Sequence, residues 1–97
     1  MRVTFVAEAE RELIEGARFY ADQSGNELGL AFIAEFERCV GLLRLQPKLG
    51  AQWRGANRRM PLRRFPYSVI YALLVDEVRI LAIAHQRRKP GYWRDRH

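Results

Sequence analysis

One cysteine, Cys39, and two histidines, His85 and His97, are all this chain has of the side chains that make disulfides and hold transition metals. A lone cysteine excludes an internal disulfide framework, and no Cys/His/Asp cluster has metal-ligand spacing. Nothing before Arg11 resembles a charged n-region followed by an apolar h-region, so secretion is not expected and a cytoplasmic location is. The longest apolar run, Val69 to Val75, falls far short of the roughly 18 residues needed to cross a bilayer, so no membrane role is expected. There is no P-loop, no GxGxxG and no nucleophile elbow, which removes ATP, dinucleotide and serine-hydrolase chemistry. Repeats and low-complexity segments are absent too. No cofactor and no metal follow from these residues.

What remains is small and basic. The 97 residues are 48% hydrophobic and 29% charged, the composition of one domain, residues 1–97. A domain of this size buries only about 60 to 65% of the surface its unfolded chain exposes, so help from a partner or from oligomerisation is expected. Lys and Arg total 17 against 11 Asp and Glu, a net charge of +6. The excess is uneven: residues 1–48 carry six basic and eight acidic side chains, residues 49–97 eleven basic and three acidic. An acidic or polyanionic partner is implied, and the second half of the chain is where it should bind.

Periodicity divides the chain into elements. Arg2–Val6 alternates and reads as a short strand. From Ala7, the residues Ala9, Leu13, Ala17 and Tyr20 recur at helical spacing, predicting an amphipathic helix to about Gln23. Ser24-Gly25-Asn26-Glu27 matches a capping box that starts a second helix. That helix carries Leu28, Phe32, Phe36, Cys39, Val40 and Leu43 along one stripe and stops before Pro47. Cys39 on this stripe reads as a buried hydrophobe rather than a reactive thiol. Pro47 to Asn57 reads as a loop. Arg58–Arg64 reads as a strand whose Pro61 demands an edge or a bulge. Tyr67–Leu74 and Val78–His85, joined around Asp76-Glu77, are the strongest strand signals. The expected fold is α+β: a two-layer sandwich of order β-α-α-β-β-β, its N-terminal strand and helical hairpin packed on an antiparallel sheet.

In such a meander, counting outward from a turn at Asp76-Glu77 sets Ser68 opposite His85, and a turn at Phe65-Pro66 sets Arg63 opposite Ser68. Arg63, Ser68 and His85 would then share one row, with Arg63 and His85 roughly 10 Å apart. Gln86-Arg87-Arg88-Lys89-Pro90-Gly91-Tyr92-Trp93 follows His85 directly and brings three cations and two aromatics to the same end. Basic residues interleaved with aromatics suit nucleic acid, and Arg forks equally suit the carboxylates of an acidic peptide. Trp93 also reads as a packing residue that folds back over the sheet. His85 reads either as a general acid or base, or as a strand-end histidine hydrogen-bonded to a neighbour such as Ser68.

The segments LRRFPYSVIY (Leu62 to Tyr71) and EVRILAIAHQRRKPGYW (Glu77 to Trp93), with the early AEAEREL (Ala7 to Leu13), resemble the RelE/ParE superfamily of bacterial toxins, on the ParE side. The resemblance covers nearly the whole chain. It implies a RelE/ParE-like fold and a plasmid-stabilisation or growth-arrest toxin of a type II toxin–antitoxin module. A cognate acidic antitoxin, ParD-like or similar, would neutralise it, with a higher-order toxin–antitoxin oligomer as a further expectation. ParE-like members poison DNA gyrase and are not known as nucleases, whereas RelE-like members are ribosome-dependent mRNA endoribonucleases. On the ParE reading there is no catalytic residue, and Arg63, Arg64, His85, Arg87, Arg88, Tyr92 and Trp93 would bind target or antitoxin. On the RelE reading the catalytic set would be His85, Arg63, Arg88 and Tyr92, with Arg63 or Arg64 holding the phosphate while His85 or Tyr92 moves the proton. RelE nucleases carry a dense lysine set in the preceding strand and loop where this chain has only Lys48, which favours gyrase as the target. A plain nucleic-acid-binding module without toxicity is the remaining reading; against it, the helices hold the acidic share of the charge.

Overall fold

The computed structural model describes residues 1–97. Its elements are β1 (Arg2–Phe5), α1 (Ala7–Ser24), α2 (Asn26–Leu45), β2 (Ala51–Gln52), β3 (Asn57–Pro61), β4 (Tyr67–Leu73) and β5 (Glu77–His85). Five strands form one sheet in the order β1-β5-β4-β3-β2, antiparallel except that β1 runs parallel to β5. Both helices lie on one face, so the α+β sandwich stands, with β2 as a fifth strand inside the stretch expected to be loop.

The helical stripe of α2 explains the packing. Phe32, Phe36, Cys39 and Leu43 are buried against Val69, Tyr71, Val78, Ile80 and Ile83 of the sheet, with Ala9 and Ala17 of α1 closing the layer. Burial pushes the Cys39 thiol up to about 11, which leaves it protonated and inert at neutral pH. The hairpin closes tightly because a Cβ at Gly29 would come within 2.7 Å of the Ala17 carbonyl. Between the helices only Gly25 is non-helical, and its φ of 99° is the left-handed region that glycine enters freely. No side chain caps either helix start, so the expected Ser24–Glu27 capping box does not form. Ser24 is still inside α1, and a single-residue joint leaves it no room to serve as a cap.

Two features set the register differently from the simple meander. Leu74 N–H donates to the Glu77 carbonyl (2.9 Å), which centres the turn on Val75-Asp76 and pairs Leu73 with Val78. Leu81 is then an extra residue in β5: Tyr71 pairs with Ile80, but Ile70 pairs with Ala82, a β-bulge. The result is Tyr67 opposite His85 and Ser68 opposite Ala84. Pro61 pairs with Ser68 at the very end of β3, beyond Arg58 and Arg59, the residues that β2 covers, so its missing N–H disturbs no ladder.

Candidate functional site

The face of the sheet away from the helices is thinly covered. Ile70, Leu81, Ala82 and Ala84 form a small apolar floor, and Trp93, 3% exposed, folds back onto it from the C-terminal turns. Beside Trp93 lies a cavity of about 440 Å³ lined by Trp53, Arg59, Ser68, Ile70, Ala84, His85, Gln86, Arg88, Pro90 and Trp93. No carboxylate lines it. Arg59 reaches it from β3, its Nε donating to Ser68 Oγ (3.2 Å) and its guanidinium lying 4.8 Å from the Trp53 ring centre. Arg88 also lines it, while its guanidinium stacks 3.9 Å over the ring of Tyr92, which lies outside this lining beside Glu12. Two cations with apolar and aromatic walls make a site for an anion that also carries a flat, greasy body.

His85 closes β5 at the rim. Its ring meets Tyr67 edge to face at 4.9 Å, and its Nδ1 accepts from the Arg87 N–H (3.0 Å), so a neutral ring carries its proton on Nε2. Ser68 therefore is not its partner; the bulge at Leu81 sends the two side chains to opposite faces.

Tyr92 is held rather than free. Its hydroxyl donates to Glu12 Oε2 (2.7 Å), and burial first, then this bond, pushes its ionisation well above the ordinary tyrosine range. Glu12 Oε1 accepts from the Ile83 N–H (3.0 Å) and from Arg96 (2.8 Å), which in turn donates to the Leu81 carbonyl (3.1 Å). β1 stops pairing at Ile80, so the outer edge of β5 beyond that point would lie open; the Glu12–Arg96 pair takes the place of the missing strand. One carboxylate thus fixes the sheet edge and the C-terminal segment that presents Arg88.

Arg63 and Arg64 lie elsewhere. β3 ends at Pro61, and the turn that follows is tied to α2 by the Arg63 N–H, which donates to Glu35 Oε2 (2.5 Å). The Glu35 carboxyl, also doubly bonded by Arg38, is held below the usual carboxylate range by those bonds, Arg38 first. Arg63 lines a separate groove with Arg38, Leu42, Met60 and Pro61, and Arg64, at φ 69°, lies over Phe65. The expected Arg63–Ser68–His85 row does not exist. Arg59 occupies the place beside Ser68. Arg87 and Lys89 are exposed beyond His85. No group of three or more His, Cys, Asp or Glu is placed to hold a metal ion, and no helix is long and apolar enough to cross a membrane.

A family model described as ParE toxin of type II toxin-antitoxin system, parDE, matches residues 3–90. The chain belongs to the ParE toxin family. A solved structure titled "Chromosomal ParDE TA system from P. aeruginosa" superposes with a TM-score of 0.78 at 23% identity, covering 88% of this chain and 95% of that one. The ParE fold is thereby independently matched. No curated protein matches by sequence. Within this ParE-family chain the cavity residues Arg59 and Trp53 and the anchor Glu12 escape a sequence reading. The β3–β4 connection spans residues 62–66 rather than turning tightly at Phe65-Pro66, so Pro61 instead of Arg63 pairs with Ser68 and Arg59 moves up beside it, while Glu12 looks like any acidic residue near a helix start.

Proposed function

We propose that the chain is a toxin silenced by an acidic, ParD-like antitoxin and that, in the cytoplasm, it poisons DNA gyrase. The family match over residues 3–90 carries this reading. The acidic partner rests on charge: Arg63, Arg64, Arg87 and Arg88 are all exposed and none is paired with a carboxylate, unlike Arg2, Arg38, Arg79 and Arg96. Such cations attract an acidic chain and set its orientation. The preference for gyrase over messenger RNA rests on the two proton-transfer candidates. Tyr92 spends its hydroxyl on Glu12, and His85 spends Nδ1 on a backbone N–H while packing against Tyr67. In-line attack by a 2′-hydroxyl needs a free base beside the phosphate, and the one nitrogen that the neutral His85 ring leaves open, Nε2, carries its proton.

Expression of the chain alone should arrest bacterial growth, and co-expression of the antitoxin should restore it. Purified toxin added to gyrase and supercoiled DNA should accumulate cleaved DNA, and cells should mount a DNA-damage response. Reversing Arg63 and Arg88 to Glu should weaken the antitoxin complex far more than truncating the remote Arg11 and Arg18. Cleavage of ribosome-bound messenger RNA, lost in His85→Gln, would replace gyrase with the RelE-like reading.

A further inference from the structure

Five arginines in this protein are half-buried: Arg38, Arg58, Arg59, Arg79 and Arg96. Four of them meet oxygen acceptors suited to a cation. Arg38 is paired with Glu35, Arg79 with Glu77 and Arg96 with Glu12, while Arg58 donates to the carbonyls of Lys48 and Gly50. Arg59 is the exception. Its one acceptor is the Ser68 hydroxyl, which takes Nε and leaves both terminal nitrogens without a protein partner. Ser68 is itself 4% exposed, and Trp53 supports the guanidinium plane, so the fork is aimed rather than loose. A cation ordered in a half-buried place without a counter-ion is poised to receive one.

We propose that the cavity between Trp53 and Trp93 is a nucleotide-binding site, with Arg59 and Arg88 holding the phosphate monoester and the base lying against the tryptophan and Ile70–Ala84 walls. The inference concerns binding only and stands whichever target the toxin has. Its volume, about 440 Å³, falls in the range of small-ligand sites. Two arginines in the lining, of which Arg59 has both terminal nitrogens free, and no carboxylate favour a phosphate monoester, nearly doubly charged at neutral pH, over the single charge of a side-chain carboxylate. The apolar floor and the indoles suit a planar base better than a bare inorganic anion.

Both tryptophans of the chain line the cavity, so intrinsic fluorescence reports on its occupancy. The full chain would be titrated with adenosine 5′-monophosphate, and in parallel with adenosine, inorganic phosphate and a glutamate-rich peptide. We expect a saturable change with the nucleotide, and binding weaker by about tenfold or more for adenosine and for phosphate, each lacking one half of the contact set. Arg59→Gln should weaken nucleotide binding by about tenfold or more, and exposed Arg18→Gln on α1 should leave it unchanged. Undiminished affinity in Arg59→Gln, or no saturable change in the parent, would overturn the proposal. A response to the peptide alone would overturn it as well and give the cavity to a protein partner. Should Arg59→Gln lose its thermal transition, Arg88→Gln decides: its side chain is exposed, and unchanged nucleotide affinity there sinks the site.

Discussion

On its helix side the sheet is sealed by 13 buried residues drawn from both helices, β4, β5 and the turn between β3 and β4. On the other side five buried residues suffice, and one of them, Trp93, comes from the C-terminal turns. The first face is continuous and carries aromatic contacts such as Tyr20–Phe65 and Phe32–Tyr67, both 4.9 Å between ring centres. The second leaves a cavity whose cations have no carboxylates to meet. A domain this small has apolar residues enough to close one face fully, and the face it cannot close is where charge collects.

Unequal losses on the two faces would sharpen that contrast. Phe32→Ala, at the centre of the sealed side, should cost about 4 kcal/mol in urea denaturation, because a fully buried ring leaves a void that close-packed neighbours cannot fill. A loss near that of a surface substitution would move the mechanical centre of the fold elsewhere. Glu12→Ala should cost about 3 kcal/mol, since it strips the acceptor from Arg96, Tyr92 and the Ile83 N–H at a nearly buried place. Hydrogen exchange should quicken in the C-terminal segment before it does in α2; uniform quickening would show that Glu12 serves the whole core. Trp93→Ala should cost about 2 kcal/mol, less than Phe32→Ala, because the space it leaves joins a cavity that water already reaches. Equal losses for the two aromatic truncations would erase the distinction between the faces.

The smallest effects per group come from titration. Tyr20, Tyr67, Tyr71 and Tyr92 all sit above the ordinary value of 10.0, burial being the largest cause for each. Their neutral forms are favoured in the fold, so the unfolded chain gives up its protons first. The stability they add is whole below about pH 10 and drains as pH rises further, which a melting series in alkaline buffer measures. Tyr92→Phe should remove the C-terminal segment's share and leave the other three. At the acid end Glu35 and Glu77 are both held below the ordinary 4.5, by Arg38 for the first and by Thr4 and then Arg79 for the second. Their contribution is whole above about pH 4.5 and is lost as pH falls through their lowered folded values. A melting point that stays flat through both ranges would mean these bonds are matched in the unfolded ensemble.

Helices and strong strands were legible because their patterns are local. The α2 stripe from Phe32 to Leu43 has one period and one buried face, and the helix it predicts is observed. β4 is different: Ser68, Val69, Ile70 and Tyr71 are buried in succession, because both faces of that strand are covered. Alternation is then silent about which side faces the helices, and register must come from the turn. The turn lies closer to Leu73 than the acidic pair Asp76-Glu77 suggests, and Val75, 99% exposed, is apolar in a place where polar residues signal a bend. The bulge parts His85 from Ser68, and the longer connection between β3 and β4 pairs Pro61 with Ser68, so Arg59 takes the place expected for Arg63. The resemblance carried by Leu62–Tyr71 and Glu77–Trp93 was enough to reach the family, since those segments include most of β4 and β5 and the tail beyond them. The role of Glu12 could not be read, for its partners lie 71 to 84 positions away.

The parallel docking of β1 on β5, together with the Glu12–Arg96 pair at the same edge, has a kinetic side. Arg2 meets Glu77 and Glu12 meets Arg96 only after the chain has closed a loop spanning most of its length. The α1–α2 hairpin and the β3–β4–β5 meander need no such closure and can form from neighbours in sequence. The outer edge of β5 is therefore the last part of the sheet to find its cover, and until then it offers unpaired backbone to any other strand. Substitutions at Thr4 or Glu12 should accordingly hasten unfolding while barely changing the folding rate, the pattern of contacts formed after the transition state.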